Sequence, residues 1–465
     1  MTSPSRARKG ASVLLTSLLS ALLTSACGTV DAARHGALTR ELVALEAARS
    51  PPDDGERLFA ELAHLDREAL VGAVLARNPN LESARLGWRA ALAEVPQATA
   101  LEDPTVAYAL APLSIPPISQ AFGDDVPFGQ TLRLNQRFPF PGKLDLRGAV
   151  ALFEAEAARG QYQQVALELA LLSSLLLADR WEVQRALEVN REHTALLEEL
   201  KRSAEAGLEV GRSTLQDPLE AEVELANLMR TQLALEARAE VIEARINALL
   251  HRRASAPLPP PPPSLEAVTL PADEAAELTA EALARRPELA SVGARIEGAR
   301  SSVSLAEAQY LPDFAVGAEY TSMFQGLPHQ VMVGGALTVP LQLDAKAAAV
   351  DEAKARLSRA ERERERIVDD VRVEVEAALA RLREAARVVA LYRERLLPAA
   401  EARAPAARAA FEAGRERFNV VIDAERNLRS TELGLEMAEA DLFRAAARLE
   451  RARGGAPIDA EGGDR

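Results

Sequence analysis

A chain of 465 residues with 48% apolar content has material for a large core, yet aromatics make up only 4% and most apolar positions are Ala, Leu or Val. That bias suits long, closely packed helices better than a compact globule. With a net charge of −14, and Lys and Arg spread along helical faces rather than gathered in a stripe, nucleic acid is excluded as a partner.

The single Cys rules out a disulfide within the chain. Arg6, Arg8 and Lys9 precede an apolar run from Ala11 to Leu23, and Thr24, Ser25 and Ala26 lead to Cys27, the layout of an export signal. The run is too short for a comfortable membrane span. Residues 1–26 therefore read as a signal peptide and Cys27 as a candidate lipidated N-terminus, although Thr24 stands where such processing sites usually carry Leu. Cleavage near Ala26 without lipidation is the alternative. Residues 27–65, with Pro51, Pro52 and Gly55 between two short helical stretches, read as a tether.

From Asp66 to about Leu101 the spacing of Leu70, Val74, Leu81 and Leu86 predicts a helix, which Pro104 ends. In TVAYALA, residues 105–111, Val106, Tyr108 and Leu110 alternate with Thr105, Ala107 and Ala109, a strand pattern. After a loop with Pro116, Pro117, Gly123 and Pro127, Leu132, Leu134 and Phe138 alternate with Thr131, Arg133, Asn135 and Arg137. A very long helix follows from Leu144 to about Ala204, and sixty helical residues span roughly 90 Å. Gly207 to Gly211 suit a helical C-cap and reversal, and a second helix returns from about Thr214 to Leu250.

The same order then recurs. LARNPNL at 75–81 reappears as LARRPEL at 283–289, and a shift of 208 residues also carries Pro104 onto Pro312. The turn segments AGLEVGRSTLQDPLEAE at 206–222 and AGRERFNVVIDAE at 413–425 match at nearly the same spacing, so the period is about 205 residues, a domain-scale duplication rather than a solenoid. In the second copy Phe314, Val316, Ala318 and Tyr320 alternate with Ala315, Gly317, Glu319 and Thr321, and beyond Gly326 and Pro328 so do Val331, Val333, Leu337 and Val339 with smaller or polar residues. A helix from Asp344 to Leu397 sets Val368, Val371, Val375, Ala378, Leu382, Ala385, Val389, Tyr392 and Leu396 at heptad spacing, a coiled-coil seam, with Pro398 and Pro405 expected to kink or interrupt it. Gly414 marks the second reversal and a helix returns from Asn419 to about Arg453. The domains are thus a first repeat at 66–255, a polyproline connector at 256–272 containing APLPPPPPS, a second repeat at 273–453 and a small, polar tail at 454–465 expected to be disordered.

An apolar face opposite a polar one is the pattern of a half-buried soluble hairpin and also of a membrane β-barrel. Four strands cannot close a barrel, since the smallest single-chain ones need about eight, whereas three copies supply twelve. On that reading Val106, Tyr108, Leu132, Leu134, Phe314, Val316, Val331 and Val333 face lipid. His35, His64, His193, His251 and His329 are scattered without metal-ligand spacing, and no nucleophile motif, phosphate loop or acid/base pair stands out, so no catalytic residue, metal or cofactor is expected.

Together, the export signal with Cys27, the NPNL and RPEL helices, the hairpins, FPFPGK at 138–143 and the two turn motifs resemble the TolC-like outer-membrane efflux factors, over residues 66–453. FPFPGK looks most like the branch serving heavy-metal or cation efflux. The resemblance implies a mainly α fold with a small β part: a homotrimer with a twelve-stranded β-barrel in outer-membrane lipid that continues into a periplasmic α-helical tunnel. It implies a passive exit duct for cations or small toxic compounds, docking at the turns marked by Gly207, Gly211 and Gly414 onto a periplasmic adaptor of an inner-membrane pump. The duct of a type I protein-secretion system and a non-pore periplasmic coiled-coil lipoprotein are the alternatives. In the family, acidic residues on the helix after the second turn line the pore entrance. Asp423 occupies one such position, Val420 stands at the other, and Asp217 and Glu220 fall at the equivalent place in the first repeat. Each carboxylate is equally suited to a solvated helix face or an ion pair with Arg426 or Arg212.

Overall fold

The computed structural model describes residues 31–48, 59, 62–111, 129–211, 213–271, 275–323 and 329–455. The segment read as a signal peptide with Cys27, part of the segment read as a tether, the loops that connect paired strands, Arg212 and residues 456–465 lie outside the described residues. The chain falls into two compact units, the first drawn from residues within 1–43, 86–159 and 291–365 and the second from 44–85, 160–290 and 366–465. Among the described residues no helix is long and apolar enough to cross a membrane.

In the first unit, β1 (Thr105–Ala111), β2 (Gly129–Phe138), β3 (Asp313–Met323) and β4 (Gln330–Thr338) form one antiparallel sheet in chain order. The sequence predicts two hairpins; the pairing of β2 with β3 over Gly129–Phe138 merges them into a single four-stranded sheet. The register makes the alternation coherent across strands. Val106, Leu134, Ala318 and Val333 form one row, and Tyr108, Leu132, Tyr320 and Val331 the next, so the apolar sides of all four strands share a face. The opposite face carries Arg133, whose Nε donates to Glu319 Oε2 at 2.8 Å.

FPFPGK closes the passage from β2 into the long helix α4 (Lys143–Glu209). Gly142 adopts φ +92°, a backbone region that a side chain would strain, and this turn drives Lys143 inward. Only 1% of Lys143 is exposed. Its ammonium donates to Leu311 O and to Asp313 Oδ1, both at 2.8 Å, and the same carboxylate oxygen accepts Phe140 N–H at 2.9 Å. Phe140 stacks on Phe314 with centroids 6.0 Å apart. The motif therefore clamps the first repeat's strand-to-helix junction onto β3 of the second, which satisfies a charge that would otherwise be costly to bury. Helix α1 (Ala32–Ala48) buries Leu38 and Leu42, and Arg34 and Arg159 pair with Glu156 and Glu41.

The second unit is helical. The single helix predicted from Asp66 to about Leu101 is instead two, α2 (Arg67–Arg77) and α3 (Pro79–Thr99). Pro79 disfavours helical backbone at the residue before it, and Asn78 is extended at ψ 126°. Its side-chain oxygen then caps the second helix by accepting Asn80 N–H at 2.9 Å, while its amide donates to Leu249 O at 3.0 Å. The second repeat breaks likewise between α6 (Ala275–Arg285) and α7 (Pro287–Ala308), but there the residue before Pro is Arg286, itself buried. Its guanidinium donates to Glu288 at 2.8 Å and to Glu374, and Arg451 pairs with both of those carboxylates. Burial alone would push the Glu288 carboxyl up, but the Arg286 hydrogen bond, its own backbone N–H and the charges of Arg286 and Arg451 hold it below the usual carboxylate range.

Helix α4 runs for 67 residues through Gly148 and Gly160. Its Leu177 and Val183 pack with Leu70 and Val74 of α2 and with Ile242 and Ile246 of α5 (Gln216–Leu249). A second cluster joins Leu278 and Ala282 to Val371, Val375, Leu379 and Leu382 of α8 (Leu343–Leu391) and to Leu449 of α10 (Phe418–Ala452). Each such fully buried leucine contributes about 1.5–3 kcal/mol. The polyproline connector is built into this unit through its carbonyls: Arg180 donates to Pro259 O, and Leu65 N–H to Pro260 O at 2.9 Å.

Of the heptad seam, Val371, Val375, Ala378, Leu382 and Val389 are buried and Ala385 partly so, but Leu396 is exposed. Between α8 and α9 (Leu397–Glu412) lies a π-helical turn, Tyr392–Leu396, closed by Leu397 N–H on Tyr392 O. The interruption expected at Pro398 and Pro405 thus sits upstream of both, and α9 contains them. Proline lacks an N–H and clashes with the carbonyl four residues earlier, so the turn ahead of Pro398 widens instead of closing as an α-turn. Tyr392 then lies over Gly434, where an added Cβ would come within 2.5 Å of its hydroxyl.

Candidate functional site

The two reversals are built differently. At the first, Gly207 lies inside α4 rather than capping it, and Gly211 takes the left-handed backbone at φ +75°. An added Cβ on Gly207 would strike the Ser213 side chain, so its requirement is close approach. Leu208, Val210, Leu215 and Leu219 are exposed around this turn. At the second, Gly414 is left-handed at φ +69°, and Phe411 and Phe418 cross it edge to face, 5.3 Å apart, with Phe418 buried.

The carboxylates singled out from the sequence separate by role. Asp217, in the first turn of α5, accepts Thr214 N–H at 2.8 Å, as a residue stabilising a helix start does. Asp423 is exposed on α10 and lies 3.4 Å from Arg426. Glu220 adds its charge to the same guanidinium. The group that sequence reasoning missed is Glu224 on α5, only 6% exposed, which receives Arg426 at 2.9 Å and lies 3.7 Å from Arg429. Glu425 is buried beside it and accepts Arg408 Nε at 2.7 Å. The hydrogen bond to Glu224 raises the Arg426 pKa against the effect of burial, with Glu224, Asp423 and Glu220 adding their charges. No spacing within one helix could have shown this, because the cluster pairs the returning helix of one repeat with that of the other.

Next to this cluster a cavity of about 20 Å³ is lined by His193, Leu200, Glu224, Ile422, Glu425 and Arg429. It has room for about one water molecule. His193 Nε2 meets Glu432 Oε2 at 2.6 Å nearby. What the arrangement can do is present negative charge at the surface, through Asp423, while holding the helices together beneath it by ion pairs.

On the sheet, all eight residues expected to face lipid share one face, and among them Val106, Tyr108, Leu132, Leu134, Val331 and Val333 are solvent-exposed. Tyr108 donates to Gln130 Oε1 at 3.0 Å, and Tyr320 Oη lies 2.6 Å from His329 Nδ1. Among the described residues, β1 and β4 have no partner on their outer edges.

Residues 278–455 match the outer membrane efflux protein family. No curated protein matches the chain by sequence. Among solved structures, the chain is similar to the outer-membrane channel OprN at 22% identity, covering 88% of this chain and 94% of that one, with a TM-score of 0.73. CusC, whose structures concern folding and transmembrane channel formation, matches at 18% identity over 85% of this chain and 94% of its own, with a TM-score of 0.73. The outer membrane protein VceC of Vibrio cholerae matches at 19% identity, over 84% of this chain and 96% of its own, with a TM-score of 0.71.

Proposed function

We propose that this chain, which matches the outer membrane efflux protein family over residues 278–455 and shares the fold of solved outer-membrane channels, is a TolC-like efflux factor and the exit duct of a tripartite efflux system. Three copies close a twelve-stranded barrel in the outer membrane, and their helices extend the conduit into the periplasm. An inner-membrane pump and a periplasmic adaptor supply substrate and energy, so the chain itself performs no chemistry. The observation that carries this reading is the four-stranded sheet with one exposed apolar face, one polar face and two unpaired edges. A soluble hairpin would bury that face, and exposed strand edges invite pairing; closure with other copies in lipid satisfies both demands. The edges of β1 and β4 are the surfaces through which copies join.

Asp423 and Glu220 bias the entrance toward cations, since carboxylates gathered around a threefold axis concentrate them and repel one another. Cations or small toxic compounds are the substrates this favours. Leu208, Val210, Leu215 and Leu219 offer the adaptor an apolar contact beside Gly211. Sedimentation of the detergent-extracted protein from an outer-membrane fraction tests the proposal. A trimer supports it; a monomer recovered from the soluble periplasm would leave the coiled-coil lipoprotein in its place.

A further inference from the structure

The second strand-to-helix junction lacks every feature that closes the first. Where the first repeat buries Lys143 and Leu144 and stacks Phe140 on Phe314, the second reads VPLQL at 339–343 and leaves Val339, Leu341 and Leu343 exposed, Leu341 at 83%. Val339 and Leu341 keep to the odd-numbered positions of Val331, Val333 and Leu337, which belong to the apolar side of β4, and Leu343 opens the helix just beyond. No helix intervenes until α8 begins at Leu343, whose N–H bonds Leu341 O at 3.0 Å as the chain turns.

Dimensions decide what this extension is for. From Val331 to Leu337 the paired strand covers about 20 Å, and at a tilt of about 40° only about 15 Å of membrane height, against an apolar band of about 25 Å. Carried to Leu341 in a chain equally extended, the apolar row covers about 33 Å and a height of about 25 Å. The apolar row of β4 within the ladder falls short of the band, and the added segment completes it.

We propose that Val339, Leu341 and Leu343 are a lipid anchor, seated in the periplasm-facing leaflet where the second repeat's strand passes into its helix. The proposal rests on the barrel reading above and adds to it a lipid contact outside the hydrogen-bonded sheet, present in one repeat only. Each copy of a trimer then contributes one such anchor, placed beside the start of a neighbour's β1.

The test is lipid quenching of single tryptophans introduced into the full chain, Leu341→Trp and, separately, Val333→Trp, reconstituted in bilayers containing phospholipids brominated on their acyl chains. Trp88 and Trp181 are both buried among helices and supply a constant background. With the anchor in place, both variants lose most of their added emission to brominated lipid, and Leu341→Trp is insensitive to aqueous iodide. Quenching of Val333→Trp by lipid while Leu341→Trp answers only to iodide would overturn the anchor and leave the barrel standing. Leu341→Trp shielded from both quenchers would assign the segment to a second copy of the chain and overturn the anchor equally. Should Val333→Trp itself escape the brominated lipid, the barrel reading fails and the anchor with it.

Discussion

The two repeats share an order of elements but close different places. In the first repeat the strand-to-helix junction is sealed by Lys143 and Phe140, while its helical reversal leaves Leu208, Val210 and Leu215 exposed. The second repeat has the opposite arrangement, with an exposed Val339, Leu341 and Leu343 at the junction and a reversal sealed by Phe411 and Phe418. The same order of elements thus occurs twice, each time with one sealed and one open end. Clustered exposed apolar side chains of this kind mark contacts with lipid or with other chains.

Opening a sealed end is the most direct way to break this contrast. Phe418→Ala removes a buried ring from the second reversal and should cost about 3–5 kcal/mol, read as a lower urea midpoint of the helical part. An unchanged midpoint would mean the aromatic pair does not hold the turn. At the sealed junction, Asp313→Asn strips the buried Lys143 ammonium of its countercharge; because the Asp313 side chain is 41% exposed, water offsets part of the loss, and about 1–3 kcal/mol is expected. Resistance to heat in detergent measures it.

The helix breaks sharpen the contrast through pH. Asn78 is neutral, whereas Arg286, Glu288, Glu374 and Arg451 form a charged network at the matching place in the second repeat. The folded Glu288 carboxyl lies below its unfolded value, so its contribution is fully present above the ordinary carboxylate range and is lost as pH falls through the folded value. Arg286→Asn should flatten that acid-side decline in stability, and urea titrations at neutral and acidic pH would reveal a slope that persists if the network is not its source.

Smaller still in stability, but not in function, are changes at the open reversal. Leu215→Ala should shift stability by no more than about 0.5 kcal/mol, since its side chain is exposed, while weakening capture by the cognate adaptor. Equal adaptor binding by this variant and the parent chain would remove the first reversal from the docking surface. At the proposed entrance, Asp423→Asn with Glu220→Gln should lower cation over anion selectivity in planar bilayers; an unshifted reversal potential would take both carboxylates out of the pore.

Repeats, strands and faces were legible because they follow periods of two and 3.6 residues that survive without tertiary context. NPNL and RPEL predicted an order of elements that recurs in the structure, and the strand alternation predicted a common apolar side that the register of all four strands shares. What escaped depended on partners far apart in the chain. Glu224 reads as one more carboxylate on a polar helix until Arg426, 202 residues later, is folded against it. Lys143 reads as the charged end of a turn until Asp313 meets it. Asn78 and the π-helical turn were missed for another reason: proline acts on the residues ahead of it, so the break falls before the position where the letter stands.

That displacement has an arithmetic of its own. A π-helical turn accommodates one residue more than the helix around it, and so acts as a single-residue insertion in the heptad count. Continued without interruption, the seam of Val371, Val375, Leu382 and Val389 would reach Leu396, Ala399, Arg403 and Ala406. The buried positions are instead Ala400, Ala404 and Ala407, each one residue later, and Arg403 is exposed. The wide turn ahead of Pro398 is thus a phase correction. It lets a helix whose second part is written one letter out of step keep its alanines against the neighbouring helices and its arginine in water.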